Sequence, residues 1–412
     1  MDFVFRDVIV EGRDSRLDIG IRAGAIAAID RDLPSPENPA NDILASGTLA
    51  SPLFIDPHHH LDCAYLDEYI NHSGTLAEAI KINAKIKDSR PAEEIYAKAC
   101  RALSEALSHG TGWIRSHIDV DSISDLKLLN PIVQAKEKFA GIVDMQIVCF
   151  PQLGLVRDPG SVAWMRESMR QGADVVGGMP HAEANRKDAQ KHIDIAFEIA
   201  KEFDADIDMH IDETDNPNSR TLELLAETTI REDYQGRVLA GHCCALSAYP
   251  DEYAKRVIEK VAKADISVVT NPMINLYLQG RGDAQPVRRG ITRVKELLAA
   301  GVNVSCGLDD VKNIFFPFGR MDMLEVAMIT ALTAHLSTPD EIQTAFNMPR
   351  SHAAKALRLV DYKLEVGSPA NFTLIEASNA QDALRLQPAR RYVVREGRIL
   401  AENLIEQKLY IT

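Results

Sequence analysis

Through the middle of the chain, short apolar runs that end on a polar residue alternate with stretches whose apolar residues recur every three to four positions. The first pattern belongs to a buried parallel strand, the second to a helix packed on one face. The strand-like runs are TLASPLFIDPHHH (48–60), GWIRSHIDVD (112–121), DMQIVCFPQ (144–152), ADVVGGMPH (173–181), ADIDMHIDE (205–213), RVLAGHC (237–243), ISVVTNPMI (266–274) and VNVSCGLDD (302–310). Between them lie amphipathic stretches such as DAQKHIDIAFEIAKEF (188–203) and ITRVKELLAAG (291–301). PAEEIYAKACRALSEALSHG (91–110) is bounded by Pro91 and Gly110, the pair that favours a helix start and a helix stop. Eight strand–helix units are the number that closes a barrel, so an α/β fold, a (β/α)8 TIM-like barrel over residues 51–359, is expected.

Both ends of the chain break this rhythm. DFVFRDVIVEG (2–12) and RLDIGIRAGAIAAID (16–30) read as short strands with turns at Gly12, Gly20 and Gly24, and NFTLIEAS (371–378) and RRYVVREGRILAEN (390–403) repeat the style. Neither end can bury a sheet alone. Residues 1–50 and 360–412 are therefore expected to meet in one small β-sandwich.

Composition narrows the partners. The 412 residues are 46% hydrophobic and 26% charged, an ordinary globular balance. A formal net charge of −14 argues against nucleic acid or an anionic membrane surface and leaves a small-molecule ligand. The six cysteines form no CxxC pair, which fits free thiols in the cytoplasm. The N-terminus has no signal-peptide pattern, and no apolar run is long enough to span a membrane.

Candidate chemistry gathers where the strands end. On a strand alternate residues share a face, so His58 and His60 point together and His59 points away. His210 closes the fifth run and His242 the sixth. Asp309 and Asp310 end the eighth, where an acid serves either as a helix cap or as a ligand. Imidazoles with one carboxylate make a donor set for one divalent transition metal ion, Zn²⁺ or Fe²⁺ alike. Glu213 follows His210 by three residues and Gln152 follows Pro151. Each reads as a loop residue or as a substrate contact. His117, Asp119 and His181 carry a weaker signal and fit supporting roles.

The stretches PHHHLD, FPQLG, HIDET, GHCCALSAY, NPMINLYLQGRGDAQPVRRGITRVKELL and LDDVKNIFFPFG together resemble the amidohydrolase superfamily, and within it the metal-dependent bacterial cytosine deaminases. The resemblance spans nearly the whole chain. It implies that His58, His60, His210 and Asp309 hold the metal. Catalysis would fall to Glu213 as proton shuttle, His242 as hydrogen-bond partner of the reacting water, and Asp309. Gln152, Asp310 and Phe315 would meet the substrate. No lysine follows the fourth strand until Lys187, so the site would be mononuclear. The implied activity is hydrolytic release of ammonia from cytosine or a close aminopyrimidine. An s-triazine of the N-alkylammelide type, or isoguanine, is the alternative. Homo-oligomeric assembly is implied as well. Phe315 stands where the family usually has Trp, giving more room beside the ring, for instance for a 5-substituent. Cys243, Cys244 and Ser247 also depart from the family's usual residues.

Overall fold

A computed structural model describes residues 1–13, 15–406 and 408–410. Eight parallel strands follow one another in space in the order they occur in the chain. They are β1 (Phe54–His59), β2 (Thr111–Asp119), β3 (Asp144–Phe150), β4 (Val175–Gly178), β5 (Asp206–Ile211), β6 (Val238–His242), β7 (Ser267–Thr270) and β8 (Val304–Cys306). Past the end of β8 the chain rejoins β1: His60 N donates to Asp309 O at 2.9 Å and Asp309 N donates to His58 O at 2.9 Å. The sheet thereby closes, and the last polar residues of its first and last strands are pinned side by side. Helices such as Ala92–Ser108 and Arg186–Glu202 cover the outside, burying Ile95, Ala99 and Leu103 in one case and Ile193, Ala196 and Phe197 in the other. Both barrel faces are thus covered, which is why the strands read as apolar throughout.

The expected barrel is present, with two local differences. The seventh run stops at Thr270, and a helix begins at Pro272 and runs to Leu278. Proline has no N–H for a ladder but suits the first turn of a helix. A helix over Leu76–Ile86, capped by Thr75 accepting from Glu78 N, occupies a segment with no strong sequence pattern.

The two chain ends meet in a second, mixed sheet. Its order is Arg398–Glu402, Arg390–Arg395, Phe372–Ile375, Leu49–Pro52, Phe3–Val10, Leu17–Arg22 and Ala25–Asp30, with Asp42–Leu44 pairing off Phe3–Val10. The sheet turns back on itself, since Ile26 N donates to Ser368 O at 2.9 Å. Its core centres on Phe5, set edge-on to Phe372 at 5.4 Å and to Tyr392 at 5.7 Å between ring centroids.

Buried arginines tie this sheet to the barrel. Arg350 bonds Glu11 and Ser51, Arg390 bonds Asp322 and the carbonyl of His109, and Arg395 bonds Asp144 and the carbonyl of Gly112. No helix among the described residues is long and apolar enough to cross a membrane.

Candidate active site

Every strand-end residue singled out from the sequence lines one end of the barrel. His58 and His60 sit at the end of β1, His210 on β5, His242 at the end of β6, and Asp309 just beyond β8. Ligand atoms of His58, His210, His242 and Asp309 all lie within 4.8 Å of one another. His60 joins the cluster from the side, with Nε2 3.1 Å from His210 Nε2 and 3.4 Å from Asp309 Oδ1. His58 Nε2 is 3.5 Å from Asp309 Oδ1, and His242 Nε2 is 3.6 Å from Asp309 Oδ2. His59 faces away, its Nδ1 3.2 Å from Asp56 Oδ2.

The local backbone is shaped for this convergence. Asp212, His242, Cys243 and Asp309 all take positive φ, from 48° to 76°. Non-glycine residues avoid that region, at about 1–3 kcal/mol each, and they collect where function holds them. Gly307 leaves the space that His58 needs. A Cβ there would lie 2.6 Å from Asn271 Oδ1 and 2.8 Å from His58 Cβ.

Electrostatics make the cluster an open demand for a cation. Burial pushes His58, His210 and His242 well below the ordinary imidazole value, helped by neighbouring histidines, and pushes His60 to about 3. Neutral rings present lone pairs. Burial pushes Asp309 well up, with Asp310 and Glu213 adding to it. Both His58 nitrogens, His210 Nδ1 and Asp309 Oδ2 are buried without a hydrogen-bond partner. Buried polar groups are nearly always paired, so orphans gathered at one point fit a metal ion as the missing partner.

A cavity reaches the cluster; its lining includes Glu213, Gln152, Asp310, Phe315, Phe150 and Ile274. It meets a wider outer cavity along Leu76, Ile80, Met179 and Glu213. Glu213 Oε1 is 3.5 Å from His242 Nδ1, and burial together with Asp310 pushes its carboxyl up to about 8. Asp310 rises to about 6 by burial, held back by the Asn313 amide.

Several groups escaped the sequence reading. Asn275 and Asn271 approach His242, the former with Nδ2 3.1 Å from Nδ1. Their signal was a helical i, i+4 spacing in a segment read as a strand end. Asp208 lies 3.4 Å from His117 Nε2 and 3.1 Å from Arg115 Nη1. His117 packs its ring 4.2 Å from that of His58. A second close set of ligand atoms, His58 with His117 and Asp208, therefore adjoins the first. Arg115 already gives Asp208 a fixed cation. Asp119 pairs with Lys87 at 3.0 Å instead of facing the cluster.

A family model for the amidohydrolase family matches residues 43–401. The chain is 29% identical over 409 residues to the N-isopropylammelide isopropyl amidohydrolase of Pseudomonas sp. (strain ADP), covering 98% of each. It is 29% identical over 397 residues to the pterin deaminase of Rhizobium rhizogenes strain K84, covering 94% of this chain and 89% of that one. Among solved structures, 5-methylcytosine deaminase from Klebsiella pneumoniae liganded with 5-fluorocytosine superposes with a TM-score of 0.94 at 30% identity, over 99% of both chains.

Proposed function

The chain belongs to the amidohydrolase family, and from that premise we propose that it is a metal-dependent hydrolytic deaminase of a small N-heterocycle, with cytosine or a closely related aminopyrimidine as substrate. The observation that carries this reading is the convergence of His58, His60, His210, His242 and Asp309 at the cavity that also holds Glu213 and Gln152. His58, His60, His210 and Asp309 would hold one Zn²⁺ or Fe²⁺. The mutual approach of His58, His210, His242 and Asp309 supports a fourth imidazole at hand. A bound divalent ion lowers the pKa of water from 15.7 towards about 7 and polarises it for attack.

The protein's own groups account for the protons. Asp309 accepts a proton from the attacking water, and His242 hydrogen-bonds that water. Oxygen adds to the ring carbon that bears the amino group. Glu213 gives a proton to the adjacent ring nitrogen, a transfer worth about 10²–10⁴-fold in rate. The amino group takes the proton held by Asp309, the C–N bond breaks and ammonia departs, and the proton of the added hydroxyl returns to Glu213, leaving a carbonyl. Gln152 and Asp310 hold the ring edge while Phe315 covers its face. The six buried or half-buried free cysteines are in keeping with a cytoplasmic enzyme, and assembly as a homo-oligomer belongs to the same reading.

A second reading, an aminohydrolase of a triazine, isoguanine or a pterin, is favoured by the ammelide and pterin relatives. Ammonia release from cytosine, 5-methylcytosine, isocytosine, isoguanine, ammelide and pterin decides between them. Fastest turnover of a pyrimidine supports the first reading, and fastest turnover of another ring the second. Silence on all six sinks both.

A further inference from the structure

The helix Leu76–Ile86 turns one stripe inward: Leu76 and Ile80 line the cavity, and Asn83 and Lys87 continue the stripe in full burial. Spacings of four, three and four keep these side chains on one face. Lys87 Nζ pairs with Asp119 Oδ2 at 3.0 Å and with Asp121. Asn83 Nδ2 donates to the same Asp119 oxygen at 3.0 Å and meets Gln152 Oε1 at 3.4 Å. Cys63 Sγ lies 3.8 Å from Asn83 Oδ1.

These contacts have a directional consequence. A carboxylate paired with lysine can only accept, so the Asn83 amide turns its nitrogen towards Asp119. That nitrogen also faces Gln152, which must answer with its oxygen. The Gln152 NH₂ is then the end left for the cavity. We propose that Asn83 is a positioning residue that fixes Gln152 as a hydrogen-bond donor to the ligand, so that the site selects heterocycles presenting a carbonyl oxygen, not an amino group, at that edge. The inference rests on the proposed deaminase reading.

A double-mutant cycle tests it, run with cytosine or whichever of the six heterocycles is turned over fastest. Asn83→Leu should raise KM about ten-fold, as loss of an oriented hydrogen bond does, and leave kcat within about two-fold. In a Gln152→Ala background the same change should alter KM less than about two-fold, because nothing remains to orient. A merely structural Asn83 would give the same loss in both backgrounds, or lower kcat at constant KM, and either result overturns the proposal. If the leucine variant does not fold, Asn83→Ala removes the same donor without added bulk and carries the same expectations. A wild-type protein inert on all six heterocycles removes the proposed function and this inference together. An active wild type with an additive cycle removes only the inference.

Discussion

The barrel mouth and the seam between the barrel and the terminal sheet both bury charge, and they do so in opposite ways. At the seam each buried arginine meets built-in partners: Asp322 and the His109 carbonyl for Arg390, Glu11 and Ser51 for Arg350. At the mouth, His58, His210 and Asp309 keep buried atoms without partners, and Asp309 has Asp310 and Glu213 for neighbours. Fixed partners give a sub-structure its stability. Withheld partners raise the free energy of these buried groups and leave the difference available to a ligand. The comparison therefore predicts that mutations at the mouth act on activity, and mutations at the seam act on folding.

The largest effect is expected from His58→Ala. Elemental analysis should show the metal gone, and ammonia release should fall at least about 10³-fold. Retained stoichiometric metal would mean that the cluster is not what holds it. Glu213→Gln comes next, with turnover down about 10²–10⁴-fold while metal content stays at the wild-type level. Near-normal turnover in that variant would remove Glu213 as the proton shuttle. The same change measured at the seam should look different. Arg390→Leu removes one of the two arginines on buried Asp322, leaving Arg320 Nη2 at 3.0 Å from its other oxygen, and should destabilise the fold by about 1.5–3 kcal/mol in denaturant titrations, as loss of a hydrogen bond to a charged group does, with kcat of the folded fraction unchanged. A variant as stable as wild type would show that the seam does not depend on this pair.

Gly307→Ala sharpens the boundary between the two regions. The added Cβ contacts Asn271 and His58 at under 3 Å, so the change strains the mouth from beneath without touching any charge. Metal affinity should weaken about 10–100-fold, the range for displaced supporting contacts. Competition with a chromogenic chelator reads this directly. Unaltered affinity would mean that His58 has room to move.

How much of this was readable beforehand follows from where each signal lies in the chain. His58, His60, His210, His242 and Asp309 each end an apolar run, so local pattern alone marks them, and the alternation of a strand decides that His59 turns away. Asn83 and Lys87 left no such mark. They occupy the inward stripe of a helix, where sequence reasoning expects apolar residues, and their partners Asp119, Asp121 and Gln152 lie on distant strands and loops. Asn271 and Asn275 were hidden by the switch from strand to helix at Pro272. The Arg115–Asp208 pair joins residues 93 positions apart. Periodicity reports which way a residue faces, but not which residue meets it there.

The smallest expected effect is a pH dependence at the seam, and its sign is determined. Glu11 accepts from Arg350 Nη1 at 2.8 Å, from Arg350 Nη2 at 3.1 Å and from Gln343 Nε2 at 3.0 Å. Burial alone would raise its carboxyl, but Arg350 and Gln343 outweigh burial and hold it below the ordinary 4.5. A carboxyl lowered in the folded state contributes stability in full above its unfolded value. That contribution fades as pH falls through the lowered folded value. Glu11 is 35% exposed, so the contribution stays within about 1 kcal/mol. Glu11→Gln keeps the shape and removes the charge. The stability gap between wild type and this variant should be flat from about pH 8 to pH 5.5 and close progressively below the ordinary carboxylate value. Protonation of the mouth histidines is common to both proteins and cancels in the difference, which urea titrations with chelator present can measure. A gap that widens on acidification would reverse the assigned sign and unseat Arg350 as a satisfied charge.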